Sequence, residues 1–382
     1  MEIVIKGQKE LRMEVRESHL CTGCGACVNL CPYQIFYRDQ VIEWHPCDIK
    51  NGRCYAYCPR TPVNLDVLKA GLFEDSSLTP EVGAMKGFYV TRAANASIRA
   101  GAQHGGTVTA LMSLALQEGI IDTAIVADEG QSLLSQGASL NNAADLKNKG
   151  KSRFAVSPNI AEFNRQTQAG DKKIGIVVTP CQSLALAKMR TKPVPTHAER
   201  IDQLKLVIGL FCGWALSWEK LSFLLGRKGI NLKDIEGMDI PPSKYQLLQV
   251  YTKNGTVDIP LGEVDPACVR DACRYCPDMT AEFTDISVGS ARLPEGWEIA
   301  KGWNQVIVRT GLGVKLIDLA RSKGILEFHD VPEGNLERLK NASMGKKRTA
   351  VENLSLKSGS PENLIYLDSR DPVFGDILGL LA

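Results

Sequence analysis

The sequence predicts two folds in one chain, a short cysteine-rich α+β module at the N-terminus and a larger α/β core behind it. Seven of the twelve cysteines lie between residues 21 and 58, at spacings typical of metal ligands. From residue 87 onward, apolar β-branched runs alternate with helical patterns, which favours a mainly parallel α/β architecture. A polar stretch over residues 74–86, with one proline and one glycine, marks the boundary between the two parts.

Bulk composition excludes several classes of protein. The chain has 382 residues, and 45 Lys and Arg oppose 43 Asp and Glu, so nothing indicates a nucleic-acid partner. No apolar run reaches the ~18 residues of a membrane-spanning helix, and the N-terminus lacks the order of a secretory signal. We therefore expect a cytoplasmic chain with no transmembrane segment.

The strongest motif is a run of four cysteines and a proline. Residues 21–32 read CTGCGACVNLCP, the C-x2-C-x2-C-x3-C-P pattern that holds a 4Fe-4S cluster. Its cysteines are Cys21, Cys24, Cys27 and Cys31. Gly23 and Gly25 are expected to let the loop approach the cluster closely. Zinc also binds C-x2-C pairs, but four cysteines with a trailing proline favour the cluster.

A second, incomplete motif follows in HPCDIKNGRCYAYCP. Its C-x3-C-P end repeats the first run, whereas its beginning is stretched and has lost one cysteine. In two-cluster ferredoxins the fourth cysteine of a run serves the other cluster. The expected ligands are Cys21, Cys24, Cys27 and Cys58 for one cluster, and Cys31, Cys47 and Cys54 for a second. The fourth ligand of the second cluster stays open between Asp48, His45, a core cysteine such as Cys268, and a three-iron cluster.

Boundaries follow from these patterns. We expect a ferredoxin-like domain over residues 1–80, with strands in IFYRDQVIEW and around Met13 to Val15. The core is expected over residues 86–330. Residues 331–382 read as a helical tail for assembly, whose Lys and Arg run predicts a solvated face.

Near its start the core contains a glycine-rich turn, Gly105-Gly106-Thr107, that opens a helix ending at Gly119. Such a helix start is a ready anion site, although most are purely structural. Further on, Cys181 and Cys212 each follow a predicted strand, where ligands gather in open parallel sheets. With the C-x2-C pair Cys273 and Cys276 they make a plausible set for another 4Fe-4S cluster. Buried free cysteines are the alternative.

Five segments in order carry a family resemblance: HGGTVTALMSLALQEGIID, KSRFAVSPNI, TPCQSLALAKMR, LKLVIGLFCGW and CRYCPDMTAEFTDISVGSA. They resemble the β subunit of coenzyme F420-reducing hydrogenase and its relatives, including formate dehydrogenase β subunits, over roughly residues 86–330. The N-terminal module resembles a bacterial-type two-cluster ferredoxin domain. The resemblance therefore implies a ferredoxin-like domain followed by an α/β flavin-binding core with FAD and one 4Fe-4S cluster.

The resemblance also implies roles for individual residues. The core-cluster cysteines are matched by Cys181, Cys212, Cys273 and Cys276. Motifs that look like flavin-contacting loops contain Gly105, Gly106, Thr107, Ser157, Pro158 and Asn159, and matching motifs also contain Lys188 and Asp285. Two features depart from the family pattern, Cys268 and the insertion EIAKGW over residues 298–303, which is expected to reshape the carrier pocket.

These observations predict an iron-sulfur flavoprotein with two or three 4Fe-4S clusters and FAD. It would exchange electrons with a diffusible hydride carrier, coenzyme F420 first, beside redox partner subunits of the formate dehydrogenase, hydrogenase or heterodisulfide reductase type. The alternatives are an electron relay between partner proteins, an NAD(P)-linked oxidoreductase, and a zinc-bound interaction module. No acid-base constellation is visible, so no catalytic residue is assigned.

Overall fold

The computed structural model describes residues 4–129, 134–151, 154–194, 201–241 and 245–379. The N-terminal module has helices α1 (Gln8–Leu11), α2 (Arg53–Ala56) and α3 (Leu65–Leu72), and strands β1 (Gln34–Tyr37) and β2 (Gln40–Glu43). β1 and β2 pair as an antiparallel hairpin, which confirms that strand prediction. The strand predicted around Met13 was wrong, because Arg12–Arg16 is a π-helical turn. Leu11 and Val15, one helical turn apart, are both buried, and their spacing favours a helix.

The linker and the core contribute the other elements. Their strands are β3 (Leu78–Thr79), β4 (Gly83–Ala84), β5 (Gly87–Ala93), β6 (Thr123–Glu129), β7 (Ser135–Leu140), β8 (Ile174–Val178), β9 (Leu204–Leu210), β10 (Ile235–Asp239), β11 (Leu247–Thr252), β12 (Gly255–Pro260), β13 (Ile286–Ser290), β14 (Asn304–Val308) and β15 (Leu326–His329). Their helices are α4 (Ala96–Gly101), α5 (Thr107–Gln117), α6 (Ala143–Leu146), α7 (Asn159–Gln168), α8 (Pro180–Arg190), α9 (Trp218–Arg227), α10 (Leu261–Cys268), α11 (Trp297–Ala300), α12 (Gly311–Ser322), α13 (Asn335–Ser358) and α14 (Pro372–Leu378).

One sheet organises the core, with strand order β15-β5-β14-β13-β9-β8-β6-β7. The central strands β13, β9, β8 and β6 are parallel, as predicted. The strands on either side join antiparallel, so the sheet is mixed and the prediction of a mainly parallel sheet holds only at its centre. At one edge the cause is the connection from β6 to β7, which is too short for the crossover that a parallel pair needs.

Helices cover both faces of this sheet. Ile125 and Ile176 pack in one apolar cluster with residues of α7 and α8. Val126 and Val177 pack in another with residues of α5 and α12. Burial on both faces explains the continuous apolar run of β8, and each such side chain contributes about 1.5 to 3 kcal/mol to folding.

A smaller antiparallel sheet, β10-β11-β12, was not predicted from the sequence. Its inward side chains Leu248, Val250 and Ile259 are fully buried. They pack against α9 and α10. This sheet forms one wall of the cavity described below.

The N-terminal module is held against the core by buried polar contacts. The Asp39 carboxylate and the Arg270 guanidinium form an ion pair of 2.7 Å with both side chains buried. The side-chain amide of Asn164 in α7 donates to the carbonyls of Ala26 and Val28, at 3.1 and 2.7 Å. The cysteine loop and the hairpin therefore occupy fixed positions on the core.

The C-terminal tail packs differently from its prediction as a solvated face. One side of α13 is buried, and Lys347 on that side forms a buried ion pair with Glu282. Lys346 donates from Nζ to the Cys212 carbonyl oxygen at 2.7 Å. Two lysines of the basic run therefore point into the protein, because a buried carboxylate and a backbone carbonyl oxygen accept their hydrogen bonds there. No helix in the described part of the chain is long and apolar enough to cross a membrane.

Candidate functional site

Four thiols of the N-terminal module come together beside α2. This inner group consists of Cys21, Cys24, Cys27 and Cys58. Cys27 interacts electrostatically with each of the other three. Burial raises the pKa of the Cys27 thiol, and the neighbouring thiols raise it further. A raised pKa favours the protonated thiol. Bound iron would instead favour the thiolate, because a coordinating thiol is deprotonated.

The loop that carries this group depends on glycine at two positions. Gly23 and Gly25 have φ of 70° and 84°, in the left-handed region that glycine favours. A Cβ atom at Gly25 would lie 2.9 Å from the Ala161 backbone nitrogen. Glycine is therefore required for the loop to dock closely on α7.

Three further thiols form the outer group, Cys31, Cys47 and Cys54. Burial is the main cause that raises the pKa of Cys54 to about 12, with the group's two other thiols adding to it. Among the candidates for a fourth ligand, His45 and Asp48 are exposed. Cys268 is fully buried in the apolar cluster beneath the small sheet, apart from the cluster that contains Cys54.

The core group consists of Cys181, Cys212, Cys273 and Cys276. Cys181 is the second residue of α8, directly after β8, and Cys212 follows β9 by two residues. Both therefore lie at the carboxyl ends of adjacent parallel strands, as predicted. Cys212 interacts electrostatically with the other three thiols. The Ala215 N–H donates to the sulfur of Cys273 at 3.3 Å, and such a bond favours the thiolate.

Positive charge acts on Cys276. Burial raises the pKa of its thiol, but Lys346 and Arg60 outweigh burial and leave the pKa below its usual value. Burial raises the pKa of Cys212 instead. The core group therefore contains one thiol that is already biased toward the thiolate that binds iron.

The three groups form a row. Cys54 of the outer group interacts with Cys58 of the inner group, and Cys24 of the inner group interacts with Cys181 of the core group. Gln182 reinforces the second junction by donating to the Cys24 carbonyl oxygen at 3.3 Å. A chain of centres in this order would let single electrons pass through the protein.

The chemistry of the donor set fits iron-sulfur clusters, because each of the three groups consists of cysteine thiols, the usual ligands of such clusters. Over the ranges that the structure describes, no three His, Cys, Asp or Glu side chains are placed to hold one metal ion.

The glycine-rich turn lies where it was predicted, at the start of α5. Gly106 is the N-cap with φ 77°, and the Thr107 N–H donates to Asn304 Oδ1 at 3.2 Å. A Cβ atom at Gly105 would lie 2.8 Å from the same oxygen. The turn is thus packed against β14, and flavin contact by these three residues stays a prediction.

Ser157, Pro158 and Asn159 lead into α7 beside the inner group. The Ser157 hydroxyl donates to Asn159 Oδ1 at 2.8 Å, and the Asn159 amide donates to the Val177 carbonyl at 2.7 Å. Gln182 donates to the Ser157 carbonyl at 2.7 Å. These bonds tie the segment to β8 and α8, and its predicted flavin contact is likewise a proposal.

Lys188 and Asp285 are bound within the protein. Lys188 Nζ donates to the Cys58 carbonyl at 2.8 Å and to the Thr61 hydroxyl at 2.7 Å, and burial lowers its pKa to about 8. The Asp285 carboxylate accepts from the Val207 N–H at 2.8 Å and from the Thr310 hydroxyl at 2.7 Å. Lys188 thus supports the loop of the inner group and Asp285 joins strands of the sheet, so their assignment to a cofactor is still untested.

A cavity of about 490 Å³ opens between the two sheets, within the size range of cofactor sites. Its walls include Ala102, Gln103, Phe154, Ala155, Trp218, Met238, Asp239, Tyr251, Trp297, Glu298 and Lys301. Tyr245 and Tyr251 at its edge are exposed, so the cavity reaches solvent. Gln103 and Ala155, each two residues before a predicted flavin loop, line it, and so do Glu298 and Lys301 of the insertion. The predicted flavin-contacting residues themselves are not among its lining residues.

His104 lies beside the cavity wall, and the sequence did not single it out. Its ring lies edge-on to the wall residue Trp297 at 5.5 Å between centroids, and burial lowers its pKa. In the described part of the chain its Nδ1 is buried and has no hydrogen-bond partner. The available signal was its place directly before the Gly-Gly-Thr turn.

The fold and the site thus define an α/β protein with an N-terminal ferredoxin-like module. The thiol groups of this module adjoin a further thiol group in the core. The family models that match are "Coenzyme F420 hydrogenase/dehydrogenase, beta subunit" N-term over residues 88–162 and C terminus over residues 171–334, and a 4Fe-4S binding domain over residues 16–37. The chain belongs to the coenzyme F420 hydrogenase/dehydrogenase β subunit family.

Relatives within this family match most of the chain. The coenzyme F420 hydrogenase subunit beta of Methanothermobacter thermautotrophicus is 31% identical, over 72% of this chain and 96% of its own length. One of the F420H2 dehydrogenase subunits of Methanosarcina mazei is 26% identical, over 85% of this chain and 88% of its own length. A chain in a solved structure of the F420-reducing [NiFe] hydrogenase complex of Methanosarcina barkeri aligns with TM-score 0.65 and 26% identity, over 73% of this chain and 95% of that one.

Proposed function

We propose that this chain is an iron-sulfur flavoprotein subunit that passes electrons between 4Fe-4S clusters and a diffusible hydride carrier through FAD. The observation that carries the proposal is the row of thiol groups ending beside a cofactor-sized cavity. In this arrangement the inner and core groups each hold a 4Fe-4S cluster, and the outer group holds a cluster with three protein thiols. Redox partner subunits of the hydrogenase or formate dehydrogenase type would meet the other end of the row.

Contacts between the cavity wall and the core group support this arrangement. The Leu216 N–H donates to the Phe154 carbonyl oxygen at 2.7 Å, and Phe154 lines the cavity. The preceding residue, Ala215, donates to the sulfur of Cys273. A ligand in the cavity would therefore lie one short segment of backbone away from the core group.

FAD bound in this cavity would supply the exchange between a two-electron hydride and single electrons. The residues of the chain would bind and orient it. Trp297 and Tyr251 offer aromatic surfaces in the cavity wall. The walls formed by the small sheet and α11 would restrict water at the reacting ring.

The relatives favour coenzyme F420 as the carrier, because the hydrogenase and dehydrogenase subunits described above are all named for F420. NAD(P) is the alternative carrier, since the insertion contributes Glu298 and Lys301 to the cavity. A pure relay between proteins would need no access for a small molecule. The exposed edge of the cavity therefore favours a carrier-linked enzyme over a relay.

The test is reduction of the flavin in the anaerobically prepared chain by reduced F420, NADH and NADPH, each added separately and followed by flavin absorbance. Rapid bleaching by reduced F420 is expected. The Met238→Trp variant fills the cavity and should lose flavin or bleaching, whereas Phe223→Trp places the same ring on an exposed helix position and should not. Unchanged flavin content and rate in Met238→Trp would rule out this cavity.

A further inference from the structure

Arg60 reaches from the N-terminal module into the loop of the core group. It follows Cys58 by two residues, and its side chain is buried. One guanidinium nitrogen donates to the Ala272 carbonyl oxygen at 3.2 Å, and another donates to the Tyr366 hydroxyl. Tyr366 in turn donates to the Tyr275 carbonyl oxygen at 2.6 Å. The residues reached, Ala272 directly and Tyr275 through Tyr366, come directly before Cys273 and Cys276. The guanidinium also interacts electrostatically with Cys276 and Cys181, so it lies between the inner and core groups.

Lys346 approaches the core group from the opposite end of the sequence. It is carried by α13, and its Nζ donates to the Cys212 carbonyl oxygen at 2.7 Å. Its ammonium also interacts electrostatically with Cys273 and Cys276. Lys346 is thus a second positive charge at the core group.

Neither residue lies in a segment matched by the family models. Those segments are residues 16–37, 88–162 and 171–334, whereas Arg60 belongs to the second cysteine motif and Lys346 to the tail. The two cations are therefore features of this chain that the family match does not assign.

Resting on the function proposed above, we propose that the positive charges of Arg60 and Lys346 raise the reduction potential of the core cluster. Reduction adds one electron and one negative charge to a cluster, and a fixed cation nearby stabilises the reduced form. Arg60 lies against both groups and raises the potentials of both clusters. Lys346 acts on the core cluster alone, so it makes transfer from the inner to the core cluster more favourable. In that transfer one electron leaves the inner cluster and reduces the core cluster, and no proton or further reactant is needed.

The experiment is a redox titration of the full, cluster-loaded chain followed by electron paramagnetic resonance, with four variants. Lys346→Gln should lower the core midpoint potential so that the ratio of reduced to oxidised core cluster falls about tenfold at a given potential, equal to 59 mV for one electron. Its inner cluster should not shift. Arg60→Gln should lower both potentials, whereas Arg60→Lys keeps the charge and should leave both near wild type. Arg348→Gln removes an exposed charge two residues from Lys346 and should change neither.

The outcomes separate charge from packing. An unshifted core potential in Lys346→Gln would overturn the inference, and so would equal shifts in Arg60→Lys and Arg60→Gln, because lost packing would then explain both. If Arg60→Gln does not retain its clusters, Lys346→Gln decides. A wild-type chain without a core-cluster signal would instead contradict the proposed function, so the two failures are distinguishable.

Discussion

Eleven of the twelve cysteines fall into the inner, outer and core groups, and Cys268 does not. Replacing Cys212 with serine removes a core-group thiolate, and we expect the loss of one cluster, about four irons per chain. Iron and sulfide analysis after anaerobic purification measures this loss.

The matched control is Cys268→Ala. Cys268 lies among apolar side chains beneath the small sheet, so its removal should leave the iron content unchanged even if it lowers stability. Loss of iron from Cys268→Ala, or full iron in Cys212→Ser, would contradict the assignment of the groups.

Residue roles were predictable where they depend on local spacing. The cysteine motifs follow from ligand spacing within one loop, and Cys181 and Cys212 were predicted from their places after strands together with the family resemblance, so all eleven grouped thiols were named from the sequence. The roles of His104 and Lys346 depend on side chains distant in the chain, Trp297 for one and the core-group loop for the other. No local pattern contains that information. Lys188 shows the converse, because a matching motif cannot tell a cofactor contact from support of the Cys58 loop.

At the scale of elements, the β1–β2 hairpin is fixed to the core by Asp39. Its carboxylate pairs with Arg270 at 2.7 Å and accepts from the Trp218 N–H at 2.8 Å. Asp39→Ala leaves a buried guanidinium and an N–H without their partner, which should cost about 3 to 5 kcal/mol. Thermal unfolding of the loaded chain should show a clearly lower melting temperature.

The control for Asp39 is Asp202→Ala, which breaks the exposed pair with Lys192. Exposed pairs of this kind contribute little, so its melting temperature should match wild type. Equal melting temperatures for the two variants would show that the buried pair does not fix the hairpin.

Asp371 is the N-cap of helix α14, and its carboxylate accepts from the Val373 N–H at 3.0 Å. Burial raises the pKa of Asp371 to about 6. The folded chain therefore binds a proton between about pH 4 and pH 6 that the unfolded chain has lost, so this group's contribution to stability falls as the pH rises through that window. Asp371→Asn keeps a good cap and lacks the titration. The melting temperature of this variant minus that of wild type should therefore increase between about pH 5 and pH 7. The same difference at both pH values would contradict this prediction.

Elements were predictable where their pattern is periodic and buried. The helix α5 and the strands β8 and β9 lie where the sequence patterns placed them. The small sheet was missed because its strands alternate weakly and contain several charged and polar residues. The turn at Arg12–Arg16 was misread because a short alternation and a single helical turn place similar residues at similar positions.

For the whole molecule, the docking of the module on the core turns three separate motifs into one row. Motif spacing predicted the thiols within the N-terminal groups, but the docking of the module on the core depends on contacts such as Asp39 with Arg270 and Gln182 with Cys24. These contacts join residues more than 150 positions apart. The fold class was accessible from the sequence, and the proposed path for electrons required the structure.

The most direct test of the central claim is the content of iron, sulfide, zinc and flavin in the chain purified without oxygen. Three groups of thiols predict ~11 to 12 irons per chain with matching sulfide, because the outer group would hold a cluster of three or four irons. One FAD per chain is also expected. Stoichiometric zinc, or a chain that contains neither iron nor flavin after reconstitution, would contradict the account.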